Sequence, residues 1–128
     1  MEDIDDEYAY CYYYKFKVII HKTDGYINAS KLCKQHNKLL RKWLRKNCNI
    51  VNTVEQSIGS TVLYYMTTGN NPQNFGVYVH KMLMPHIVSW ISPEFLIDMS
   101  HLMVEHIDNM VGNGGDNGGD NDVEVINE

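Results

Sequence analysis

The segment KLLRKWLRKN, residues 38–47, admits one kind of structure. Wound at 3.6 residues per turn, it gathers Leu39, Leu40, Trp43 and Leu44 on one face and Lys38, Arg41, Lys42, Arg45 and Lys46 on the other. The apolar stripe demands a core behind it. The cationic face holds no carboxylate, so it lacks the i,i+4 pairs that stabilise a merely solvated helix, and it calls for an external anion. Lys/Arg-rich faces are more often simply solvated. The missing acid is what tilts this one towards a nucleic-acid backbone.

The flanking sequence supplies that core. Residues 10–21 alternate β-branched and aromatic side chains as a strand does, and Asp24-Gly25 has the composition of a type I′ turn leading to a return strand at Tyr26-Ile27. Asn28 reads as the N-cap of a short helix over residues 29–36 that turns Leu32 and Cys33 inward, and Asn37 can close it in the left-handed conformation. The basic helix starts at once, which is helix-turn-helix spacing. After Cys48 the pattern loosens. Residues 61–67 and 76–80 are extended in character, and the polar run between them makes a hairpin with Asn70, Asn71, Gln73 and Asn74 at its tip. A further helix spans residues 82–91, tolerating Pro85 in its first turn. Ser92-Pro93 then opens a last helix to about residue 111, with Phe95, Leu96, Met99, Leu102, Met103, Ile107 and Met110 as its buried side.

The formal charge of −5 would oppose a nucleic-acid partner if it were evenly spread. It is not. Residues 1–7 carry five acids and no base, whereas residues 15–90 hold all eleven Lys and Arg against only Asp24 and Glu55, a local balance of +9. The 128 residues are enough for one domain and one core. The expected organisation is an acidic flexible arm over residues 1–9, a folded domain over 10–111 and a disordered Gly/Asn/Asp-rich tail over 112–128. Cys11, Cys33 and Cys48 are widely spaced, with no signal peptide before them, which fits a reducing compartment, and no apolar run has the length of a membrane span.

Motifs for catalysis are not found: no glycine-rich phosphate loop, paired catalytic carboxylates or nucleophile motif, so no enzyme and no cofactor is expected. Cys33, His36 and Cys48 make a poor metal set, because Cys33 points inward by helical phase and no second ligand pair exists, so no metal is expected. Tyr8, Tyr10, Tyr12, Tyr13 and Tyr14 could offer bases a stacking platform, although strand packing is the commoner use of such residues.

With these elements in place the chain resembles the KilA-N domain of large DNA viruses and bacteriophages. The likeness is carried by residues 24–33, DGYINASKLC, with Trp43 downstream, and by Gly76-Val77-Tyr78-Val79-His80 running through Pro85 to Ser89-Trp90-Ile91-Ser92-Pro93-Glu94-Phe95. It covers roughly residues 10–110. The resemblance implies a small α+β domain related to the fungal APSES fold, a winged helix-turn-helix with β hairpins and about four helices. It implies a non-enzymatic protein that binds nucleic acid, double-stranded DNA first of all, inside the host cell at cytoplasmic replication sites or in the nucleus. Charge and helical phase assign the contacts to Lys31, Lys34, Lys38, Arg41, Lys42, Arg45 and Lys46, and more weakly to Asn70, Asn71, Gln73 and Asn74. Many poxviral relatives continue into a RING ubiquitin-ligase module. This sequence has no zinc-binding cysteine array, so ligase activity is not carried over. The alternative is a protein-interaction or regulatory module, a truncated viral factor that self-associates or pairs with related KilA-N proteins.

Overall fold

The computed structural model describes residues 1–114. Strands β1 (Glu2–Asp3), β2 (Tyr8–Tyr13), β3 (Phe16–His21), β4 (Ile27–Asn28), β5 (Leu63–Met66) and β6 (Gly76–Val79) form one antiparallel sheet in the order β1-β2-β3-β4-β6-β5. Helices α1 (Ala29–Gln35), α2 (Leu40–Lys46), α3 (Cys48–Ile58), α4 (Met84–Ile91) and α5 (Pro93–Gly114) complete an α+β fold, with a 3-10 turn at Pro72–Asn74. Residues 1–92 make one compact unit, and a second begins at Pro93.

Residues paired across antiparallel strands project to the same side, so Tyr8, Tyr10, Ile19, His21, Tyr64 and Tyr78 share one face of the sheet. Tyr8 stacks on His21 at 4.8 Å, Tyr64 on Tyr78 at 5.7 Å and Tyr26 on Tyr64 at 5.3 Å. The tyrosines at the chain start therefore do not form a common platform: Tyr8 is buried in this cluster, whereas Tyr12 is exposed. The alternate residues Val18, Val77 and Val79 are buried on the other face, which α1 covers. Ala29, Leu32 and Cys33 of α1, Leu83 with Met84, Ile87 and Val88 of α4, and Val62 complete that core.

Several local expectations are corrected. The strand expected over residues 10–21 is a hairpin, β2 and β3, broken at Tyr14-Lys15 with Tyr14 left-handed at φ 58°. Its turn contains no Gly, Asn or Asp, so nothing in the composition announced it. The Asp24-Gly25 turn is not type I′, because Gly25 alone has positive φ. It is a wider loop closed by hydrogen bonds from Gly25 N–H to the His21 carbonyl and from Tyr26 N–H to the Asp24 carboxylate. Residues 48–58, where the sequence pattern loosens, form α3, in which Ile50, Val51, Val54 and Ile58 recur at helical spacing. Leu39 is the N-cap of α2 and nearly half exposed, not part of its inner face.

Two further differences concern the ends. Residues 1–9 are not a loose arm in the structure: β1 pairs with β2, and Asp5 accepts the Glu7 and Tyr8 N–H groups at 2.9 Å. In the second unit, α5 continues to Gly114, and Leu96, Leu102, Met103, Ile107 and Met110, expected to be buried, are each more than half exposed. The rest of the expected tail, from residue 115, lies outside the described residues.

Candidate nucleic-acid interface

The site is assembled around Asn28, which is fully buried at the junction of β4 and α1. Its Oδ1 accepts the Lys31 N–H at 2.9 Å and caps α1, while its Nδ2 donates to the Asn74 and Phe75 carbonyls at 3.3 and 3.0 Å. Ser30 Oγ accepts the Val77 N–H at 2.8 Å. One helix N-terminus is thus bonded to the β5–β6 hairpin from two positions, Asn28 and Ser30. Gly76 makes this approach possible, since a Cβ there would lie 2.7 Å from Asn28 Oδ1.

From that anchor α1 carries Lys31 and Lys34 outward. It ends at His36, and Asn37 takes φ 58°, so α2 begins within four residues. Leu40 and Trp43 hold α2 to the core, each 5% exposed, leaving Arg41, Lys42, Arg45 and Lys46 exposed on the other side. Among the described residues, Lys31, Lys34, Arg41, Lys42, Arg45 and Lys46 form no ion pair. Lys38 is different. Its Nζ lies 4.9 Å from the ring centroid of Trp90, so this cation is partly committed to an internal cation–π contact.

The hairpin tip divides in two. Asn70 and Gln73 are exposed. Asn71 and Asn74 turn inward, donating to Asp5 Oδ2 at 2.7 and 3.1 Å, and Asn74 is only 4% exposed. Those two amides hold the tip to the N-terminal arm, so their assignment to the outer surface is corrected. The Glu7 N–H, followed by the Asn71 amide, keeps the Asp5 carboxyl below its ordinary range. In contrast, burial pushes the Cys33 thiol up to about 11 and the Tyr78 phenol up to about 12, so neither ionises near neutrality.

Between α1, α2 and the hairpin lies an open concavity of about 460 Å³. Lys34, Lys38 and Arg41 line it together with Leu39, Leu40, Leu44, Tyr65 and Val77. Tyr65 was not singled out from the sequence. Strand alternation does put it on the face opposite Tyr64, but only the fold brings α2 alongside, leaving an aromatic ring 68% exposed beside three cations. Among the described residues, no three His, Cys, Asp or Glu side chains converge as a metal site, and no helix is long and apolar enough to cross a membrane.

A KilA-N domain-containing protein of Acanthamoeba polyphaga mimivirus is 33% identical over 116 residues, 82% of this chain and 32% of the relative. An uncharacterized protein of Fowlpox virus is 26% identical over 115 residues, covering 84% of this chain and 76% of its own length. An Invertebrate iridescent virus protein, also KilA-N domain-containing, is 28% identical over 116 residues, 81% of this chain and 32% of its own. The chain spans about a quarter to a third of the length of three mimivirus KilA-N domain-containing proteins that it matches. No solved structure matches it at a significant level. The KilA-N family model matches residues 11–109, from β2 through most of α5, and the chain belongs to the KilA-N domain family.

Proposed function

We propose that the chain is a non-enzymatic DNA-binding module that grips duplex phosphates with α1 and α2, used as a helix-turn-helix, and with the β5–β6 hairpin as a wing. One observation carries this reading: six cations on two consecutive helices have no acidic partner among the described residues, although the chain as a whole is acidic. A surface of that kind is completed by an external polyanion. Asn70 and Gln73 supply neutral donors at the wing tip, and Lys38, held over Trp90, contributes less than its neighbours. The KilA-N membership supports the same partner class.

Phosphate contact predicts a steep salt dependence. With five or six phosphates neutralised, the logarithm of affinity falls against the logarithm of salt with a slope of about −4.5 to −5.5. The test is a titration of duplex DNA at several salt concentrations with the native chain and with the triple variant Arg41→Glu/Lys42→Glu/Arg45→Glu. Binding is expected to be lost in the variant while its thermal unfolding stays nearly unchanged, because all three side chains are exposed. Retained affinity would refute the assigned face.

A further inference from the structure

Helix α5 carries a second surface that the cations of α1 and α2 do not explain. Leu96, Ser100, Met103, Ile107 and Met110 recur at alternating steps of four and three residues, the spacing of a coiled-coil seam. Ile97 and Val104 each follow a seam position and widen the strip along one flank. The six apolar side chains of this strip are each 52–62% exposed. At roughly 100 Å² per half-exposed side chain they present about 600 Å², and two such strips total about 1,200 Å², the lower edge of specific interfaces. Contiguous apolar patches of that size mark interaction sites.

We propose that the strip is covered by the same strip of another copy, so that the chain self-associates through α5. Ser100 fits the centre of such a seam, because its Oγ already donates to the Leu96 carbonyl at 2.8 Å and can be enclosed without leaving an orphaned hydroxyl. Its small side chain also lets two backbones approach. Asp98 and Glu105 lie on the opposite arc, while Asp108, one turn on from Val104, borders the widened flank, so a partner of identical sequence brings no carboxylate into the seam of Leu96, Ser100, Met103, Ile107 and Met110 itself. α5 contains no Lys or Arg. A basic foreign partner would be drawn to the acidic arc and away from the strip, whereas two copies meet by apolar burial against a weak mutual repulsion. Added salt screens that repulsion. Self-association through α5 therefore strengthens with salt, the opposite of phosphate binding, and the two readings fail independently.

The experiment is sedimentation velocity on the full chain without DNA, at roughly 100 µM and at ~0.1 and ~0.5 M NaCl. The expected result is an integer multiple of the 14.8 kDa monomer mass, with the associated fraction rising with salt. Met103→Glu/Ile107→Glu is expected to return the chain to 14.8 kDa, and Ser100→Glu, a change at an exposed position, to do the same. Unchanged thermal unfolding and salt-sensitive DNA binding of these variants would establish that residues 1–92 remain folded. A native chain that stays monomeric, an oligomer that survives both substitutions, or association that weakens with salt would each overturn the proposal.

Discussion

Replacing Asn28 by alanine breaks three hydrogen bonds at once, and their geometry sets the size of the effect. The lost cap on the Lys31 N–H costs about 1 kcal/mol, within the usual range for N-caps. The Asn74 and Phe75 carbonyls lose their donor in a region closed to water, adding roughly 0.5–1.5 kcal/mol each. Asn28→Ala should therefore lower stability by about 2–4 kcal/mol, a large share of the roughly 5–15 kcal/mol that holds a domain together. Asn28→Asp separates the terms. It keeps the capping oxygen but turns a carboxylate towards two carbonyls, so at neutral pH it should cost at least as much as alanine. Equilibrium urea denaturation read by tryptophan fluorescence measures both, since Trp43 and Trp90 lie in the same unit. A loss below about 0.5 kcal/mol for Asn28→Ala, or an aspartate variant as stable as the native chain, would refute the claim that this side chain ties the basic helices to the hairpin.

Three other outcomes follow from neighbouring geometry. Gly76→Ala places a Cβ 2.7 Å from Asn28 Oδ1 on a residue with φ 142°, and should cost about 2–4 kcal/mol in the same denaturation assay. Lys38→Ala should lower the salt slope of DNA binding by less than Arg41→Ala does, while reducing stability by about 0.5–1 kcal/mol through the lost Trp90 contact. Equal slope changes would show Lys38 free to meet phosphate. The third is a pH effect: the Asp5 pKa is depressed in the folded chain, so its bonds persist through the ordinary carboxylate range and are lost only as the pH falls below it. The side-chain amide resonances of Asn71 and Asn74 should stay fixed down to about pH 4 and shift only below, and movement already near pH 5 would contradict that order.

The parts of this fold that were legible in the sequence are those in which a local signal and a tertiary demand coincide. Asn28 caps α1, Asn37 adopts the left-handed conformation and Pro93 opens α5, each a position whose chemistry specifies its backbone. Helix α2 was legible because its apolar and cationic residues never mix. α3 was missed for the opposite reason: Asn49, Val51, Asn52, Thr53 and Val54 are weak helix formers, and their composition masked a helical recurrence of Ile50, Val51, Val54 and Ile58. The Tyr14-Lys15 turn uses no turn residues, and register with β3 alone defines it. In the candidate site the cations were readable one by one. What they face was not, because the Trp90 contact of Lys38 spans 52 residues and the Asp5 contacts of Asn71 and Asn74 span 66 and 69.

The distribution of acids explains how a chain of charge −5 keeps a cationic surface. Opposite charges cancel only where they lie within about 8 Å of one another at physiological salt, so the local partners of each carboxylate matter more than the sum. In the N-terminal arm Glu2 pairs with Lys17 at 3.4 Å and Asp3 with Lys22 at 3.1 Å, while Glu7 sits 3.5 Å from His21. Asp5 is occupied by the hairpin amides. The two acids inside the basic segment are engaged as well: Asp24 accepts from Tyr26 N–H and Tyr64 OH, and Glu55 accepts the Val62 N–H at 3.3 Å. All six of these carboxylates are spent on the sheet and its loops, and none on α1 or α2. Substituting Glu2 and Asp3 by their amides should therefore raise the net charge by two and leave the salt slope of DNA binding unchanged, because the released Lys17 and Lys22 project from β3 and its following loop. A steeper slope in that variant would mean that the anionic arm had been shielding the binding surface after all.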